Sequence, residues 1–207
     1  RHQPWARRWR AALELLRAVD PPRAAEAAAL VRCLVPLARD GAYVPKVSAT
    51  FRAAPGAVLT TLPETAADLA AVLVHETQHS KLSVLHDLLP LHHARPHAAY
   101  RVAWRSDPRP LAGVLQGTYA HLALADFWAR AGAGAALPPA ERRDARHRAD
   151  SYRRQVAEAL AVLLESSELT PAGGEFARGM RSHLASLAPS VGEPATIGGT
   201  SPVGDVR

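Results

Sequence analysis

Two histidines four residues apart, with a glutamate directly after the first, form the segment best suited to chemistry: His75-Glu76-Thr77-Gln78-His79. Positions i and i+4 share one helix face a single turn apart, so both imidazoles can reach one metal ion while Glu76 stands near its open side. Without such a partner, two histidines and a carboxylate on an otherwise apolar helix carry a burial cost. Two histidines are an incomplete ligand set, and the familiar peptidase continuations are missing. The metzincin pattern needs Gly and then His at places held by Leu82 and Leu85, with His86 one residue out of register. The gluzincin pattern needs a later Glu followed by Asp, but the next glutamate, Glu141, sits in an Arg-rich segment without that partner. His121 is the best remaining third ligand. It lies inside an apolar run, Gly117-Thr118-Tyr119-Ala120-His121-Leu122-Ala123, and Gly113 and Gly117, four apart, leave a smooth strip where another backbone could approach. A core histidine with a backbone hydrogen bond is the alternative for His121. Asp126 is a weaker ligand candidate, and His86, His92, His93 and His97 read as surface or loop residues.

Glu76 has two readings. In a zinc peptidase it is the general base that activates water. Where no such base is needed it ligates the metal itself or orients a ligand. Successive helical residues point about 100° apart, which makes joint ligation by His75 and Glu76 awkward and favours His121.

These residues need helices to hold them. Trp5, Trp9, Leu13 and Leu16 recur at helical spacing over residues 4–19, and Pro21-Pro22 breaks that run. A second helix is expected from Arg23 to Ala38, with Cys33 inside its apolar pattern, stopped by Asp40-Gly41. Val44 to Phe51 and Ala57 to Leu62 read as a hairpin or two short strands around Ala53-Ala54-Pro55-Gly56. Thr65 then caps the helix that carries His75 and His79, with Asp68 at its third position, and that helix ends near Pro90. A strand just before such a helix is how zinc metallopeptidases present a peptide to the metal. Asp107-Pro108 reads as the start of the His121 helix, which runs to about Arg130. Helices over 139–167 and 171–187 follow. The fold class is therefore mainly α, with a small β hairpin or strand pair beside the His75 helix. Residues 1–188 form one helical metal-binding domain and 189–207, rich in Gly, Pro, Ser and Thr, form a disordered tail.

Composition narrows the setting. Of 207 residues, 48% are hydrophobic and only 5% aromatic, which suits an Ala- and Leu-rich helical core. The net charge of +6 comes almost wholly from arginine and is accompanied by no nucleic-acid signature, so no nucleic-acid partner is expected. The basic run from Arg142 to Arg154 reads as a solvated helix face, with a grip on an acidic leader peptide as the alternative. One cysteine excludes an internal disulfide framework, and no run of about 18 apolar residues spans a membrane, so a cytoplasmic location is expected. The chain opens at Arg1 without an initiator Met and reads as a fragment, a processed form or the C-terminal part of a longer protein.

Four stretches carry a resemblance: Phe51 to Val58, Leu73 to Leu82, Trp104-Arg105-Ser106-Asp107-Pro108-Arg109-Pro110-Leu111, and Gly117 to Leu122, with the Leu169-Thr170-Pro171-Ala172-Gly173 turn as a fifth. Together they cover most of residues 43–185. In these the chain resembles the HExxH-motif proteins encoded beside ribosomally made, post-translationally modified peptides, which are described as Fe(II)- and 2-oxoglutarate-dependent peptide β-hydroxylases. The histidine motif alone is unspecific, and its combination with the W-R-x-D-P-R-P segment is much more so. The resemblance implies Fe(II) rather than Zn, with positions left open for 2-oxoglutarate and O₂, and a peptide as substrate. It also implies an arginine for the distal carboxylate of 2-oxoglutarate, for which Arg105 and Arg109 are the candidates, with helix capping or pairing to Asp107 as the alternative. Tyr100 and Tyr119 are further hydrogen-bond donors on this view. A zinc metallopeptidase, and a peptide-binding module with a structural metal, are the competing functions.

Overall fold

The computed structural model describes residues 3–38, 47–93 and 99–187. Six helices dominate: α1 Gln3–Val19, α2 Pro21–Leu30, α3 Ala66–Leu88, α4 Leu111–Ala133, α5 Pro139–Glu165 and α6 Pro171–Ser186. A three-stranded sheet of β1 Cys33–Leu37, β2 Ser48–Phe51 and β3 Ala54–Thr61 lies beside α3, and a two-stranded ribbon of β4 Tyr100–Val102 and β5 Arg105–Arg109 precedes α4. The architecture is mainly α with a small sheet, as the periodicity requires. Among the described residues no helix is long and apolar enough to cross a membrane. The expected tail, 189–207, lies outside the described residues, as do Asp40-Gly41 and His97.

α3 begins where its capping signal stands: the Thr65 side chain accepts from the Asp68 N–H at 3.0 Å. α6 begins the same way, with Thr170 accepting from Gly173 N–H. Two boundaries differ from the sequence reading. The second helix stops at Leu30 and the chain turns into β1, so Cys33 is an exposed strand residue rather than part of a helix. β1 runs parallel to β3, pairing Cys33 with Ala57 through Leu37 with Thr61, and this cross-chain pairing overrides a local spacing that fits a helix. At the join Gly56 adopts φ +83°, and a Cβ there would meet the Leu30 carbonyl at 2.8 Å. The second difference is α4, which starts at Leu111. Asp107-Pro108 belongs to β5, because the Asp107 carboxylate is occupied by Arg105 and Arg109 and caps nothing.

β2 pairs antiparallel with β3 and forms the edge of the sheet nearest α3. Two apolar cores hold the helices. One packs α1, α2, the first half of α3, the second half of α4 and the first half of α5 around Leu16, Leu73 and Phe127. The other packs Leu82, the first half of α4, the second half of α5 and α6 around Leu115, Leu163 and Met180. The polar residues of interest lie between the two.

Candidate metal centre

Helical spacing on α3 sets His75 and His79 edge to face, with their Nε2 atoms 2.9 Å apart. Two nitrogens bound at right angles to one ion, each at about 2.1 Å, stand roughly 3 Å apart, so the pair is at ligand spacing. The far side of His79 is fixed by α4: its Nδ1 faces the Gln116 Oε1 at 3.0 Å. Gln116 donates in turn to Ser83 Oγ at 3.4 Å, and Ser83 donates to the His79 carbonyl at 2.8 Å. With Gln116 oxygen as acceptor, His79 carries its proton on Nδ1 and turns the Nε2 lone pair toward His75. A ligating histidine held through its other nitrogen is the usual arrangement of a metal site.

His121 approaches from α4. Its ring centroid is 5.6 Å from that of His75, wedged between Trp104 at 4.6 Å and Tyr152 at 5.1 Å. Gly117, one turn earlier, makes room for this: a Cβ there would sit 2.7 Å from the Trp104 indole. The smooth strip read from the glycines thus receives a side chain. As placed, no three His, Cys, Asp or Glu side chains among the described residues form a closed ligand set. The α3 pair stands at ligand spacing and His121 further off.

Burial lowers the His75 pKa well below its usual value, and neighbouring His79 and His121 lower it further. His121 is pushed down to about 4, chiefly by burial and then by His79, with Gln155 working the other way. Both rings are therefore neutral at pH 7, the form that offers a lone pair to a metal. Two buried atoms here, His75 Nδ1 and Glu76 Oε2, have no hydrogen-bond partner, and His121 has the Gln155 side chain beside it. Native proteins seldom leave such atoms unpaired, and their clustering marks a place for a ligand.

Glu76 is 2% exposed, and its Oε1 accepts from Ser48 Oγ on β2 at 2.7 Å. Two cavities meet at these residues. A groove of about 1160 Å³ runs between β2 and α3, with Ser48, His75, Glu76, His79 and Gln116 in its wall. A smaller chamber of about 250 Å³ lies on the other side, lined by Ser48, Thr60, Asp68, His75, His121, Arg148 and Tyr152 among others. Ser48 and His75 belong to both.

The other residues singled out in the sequence stand elsewhere. Arg105 and Arg109 bind the Asp107 carboxylate at 3.0 and 3.2 Å on the exposed β5 ribbon, and neither lines the groove or the chamber. Tyr119 packs on Phe176, 5.3 Å between rings, and lines a separate cavity with Asp20, Arg23 and Asp126. Asp126 is spoken for: burial raises its pKa, but Arg130 at 2.7 Å and Arg23 at 3.2 Å outweigh that and hold it below the usual carboxylate value. Tyr100 donates to the buried Glu168. His86 and His92 stack on each other at 4.5 Å. Sequence reasoning missed Ser48, Gln116, Tyr152 and Arg148. Only Trp104, inside the W-R-x-D-P-R-P segment, carried a local signal.

A scan against protein-family models finds no match to this chain. A search of curated proteins finds none either. The fold and the site by themselves define a mainly α protein with a histidine-lined candidate metal centre between two cavities.

Proposed function

We propose that the chain is an Fe(II)/2-oxoglutarate-dependent hydroxylase of a peptide side chain. One observation supports this above the rest: two distinct cavities converge on His75. Hydrolysis of a peptide needs a substrate groove and a water. Oxygenation with a cosubstrate needs two places that meet at one centre, a larger one for the peptide and a smaller one for a small diacid. For the metal, His75 and His79 offer paired nitrogens at ligand spacing, and the neutral His121 stands further off as the third candidate. When bound, Fe(II) supplies the chemistry that couples oxidative decarboxylation of 2-oxoglutarate to insertion of one oxygen atom into a C–H bond. The protein's part is placement. Gln116 orients His79, Trp104 and Tyr152 orient His121, and Ser48 holds Glu76 at the groove wall.

In the chamber, Arg148 is the cation for the distal carboxylate, replacing Arg105 and Arg109 in that role. It lies 4.7 Å over Trp128, with Nη1 on Asp68 and Nε on Asp144. Asp68 lines the same chamber, so the diacid competes with it for the guanidinium. Tyr152 is a neutral donor there, because burial raises its pKa.

A zinc metallopeptidase is the second reading, favoured by Glu76, whose Oε2 is buried at the groove without a partner and available as a general base. One experiment separates the two. With Fe(II), 2-oxoglutarate, O₂ and its peptide, the hydroxylase yields succinate and a peptide heavier by one oxygen atom with an intact backbone. Arg148→Ala raises the 2-oxoglutarate concentration for half-maximal turnover at least about tenfold, and Asp68→Asn lowers it. Zinc-dependent cleavage without succinate rejects this reading and leaves the peptidase.

A further inference from the structure

The large exposed hydrophobic side chains are concentrated where they have a use. Leu30, Phe51, Val84 and Leu88 are 42, 54, 59 and 80% exposed, and all four line the groove. Apolar surface gathered along a polar-floored groove marks a recognition site rather than scattered surface residues.

The wall of the groove offers backbone as well. Val47 accepts from Thr61 N–H, so by antiparallel alternation Ala49 pairs inward with Leu59, while Ser48 and Thr50 turn their N–H and C=O groups to the outer edge of β2. Among the described residues no strand pairs with that edge, and such an edge accepts an extended chain. β2 also runs alongside α3 in the same direction. Its start touches Glu76 through Ser48, and just past its end Arg52 pairs with Asp87 at 2.5 Å. The two elements are thus rulers laid side by side.

Read against each other, the rulers give a register. Val84 lies five helical residues beyond His79 and Leu88 nine, which is roughly 7.5 and 13.5 Å along the axis. An extended chain advances about 3.3 Å per residue, so these distances match positions roughly two and four residues from the one over the histidine pair. Positions two and four share a face of a strand. Antiparallel addition is the stronger pairing and runs the bound peptide from Leu88 toward His79.

We propose that the groove selects an extended peptide, added antiparallel to β2, that carries large apolar side chains two and four residues before the residue placed over His75 and His79. This rests on the proposed function only for what happens at that central residue.

The test is a binding measurement on the full chain. Dye-labelled octapeptides with a central Asn carry Leu or Ser at −4 and −2, and a second series carries the same pairs at +2 and +4; fluorescence anisotropy reads affinity. Leu at −4 and −2 binds at least about tenfold more tightly than Ser, the gain expected for burying such side chains. The double variant Val84→Asp, Leu88→Asp abolishes the preference without shifting the thermal midpoint, since both side chains are exposed. Thr50→Pro, which removes an outward N–H from an edge strand, weakens every peptide. Equal affinity across the panel, a preference on the +2 and +4 side, or a preference that survives the double variant overturns the inference. Tight, selective binding with no oxygenated product sinks the hydroxylase reading and leaves this one intact. Hydroxylation indifferent to residues −4 and −2 does the reverse.

Discussion

The chain gathers chemistry-bearing side chains in two places and treats them oppositely. On the β5 ribbon, Arg105 and Arg109 close on Asp107 in open solvent, each charge answered by a neighbour two residues away. Between the two cores, the half-buried His75 and His79 and the buried Glu76 of α3 are joined by His121 from α4, and His75 and Glu76 keep atoms that no partner meets. The first group satisfies itself locally and is left with little to offer a ligand. The second is incomplete without one. An arginine pair in a sequence is therefore weak evidence of a binding site until its own neighbours are accounted for.

The sharpest way to break this contrast is to remove ligands. His75→Ala or His79→Ala should abolish stoichiometric metal binding, read by elemental analysis, whereas the double change Arg105→Ala, Arg109→Ala should leave metal content and the requirement for 2-oxoglutarate unchanged. Next in size is a pair of glycines on α4. Gly117→Ala drives a methyl into the Trp104 indole and should cost about 1–3 kcal/mol in denaturant unfolding, with weaker metal binding as Trp104 shifts against His121. Gly113→Ala meets only Arg109 at 3.5 Å and should be neutral or stabilising by up to about 1 kcal/mol.

Acid separates the regions again. The His121 pKa is lowered to about 4, so in metal-free protein the unfolded chain takes up the proton first and stability falls as pH drops from about 6.5 toward 4. His121→Gln should make that slope shallower in chemical denaturation without abolishing it, because His75, also lowered, still contributes. Asp107 is lowered to about 2, first by its bond from Arg105, so whatever its ribbon contributes is present above about pH 4 and is lost only as pH falls toward 2. The smallest effect belongs to Asp107→Asn, which should leave the denaturant midpoint at neutral pH essentially where it was.

What was legible in the sequence follows the same division between local and distant. The helical period located the helices, and the His75–His79 pair is itself a local feature, visible because one turn separates its members. β1 was not legible, since Leu30, Leu34 and Leu37 also fit a helix, and only the parallel partner β3 decides between them. Asp107-Pro108 has the form of a helix start, but two arginines engage the carboxylate that would have capped it. Gln116, Ser48, Tyr152 and Arg148 reach the centre from three separate elements, and none has a neighbour in sequence that betrays the role.

The position of the histidines between two apolar cores has a consequence for how the molecule comes apart. α3, α4 and α5 each run through both cores, and each crosses from one to the other near the site: α3 between Val74 and Leu82, α4 at Leu122 and Ala123, α5 between Ala149 and Val156. Unpaired side-chain groups accumulate at this polar seam. Bound by His75 and His79 of α3 and His121 of α4, the proposed metal ion would tie two helices together where one core gives way to the other. Stripped of it, the two halves are free to melt at separate temperatures, and with it they are held to a single cooperative transition.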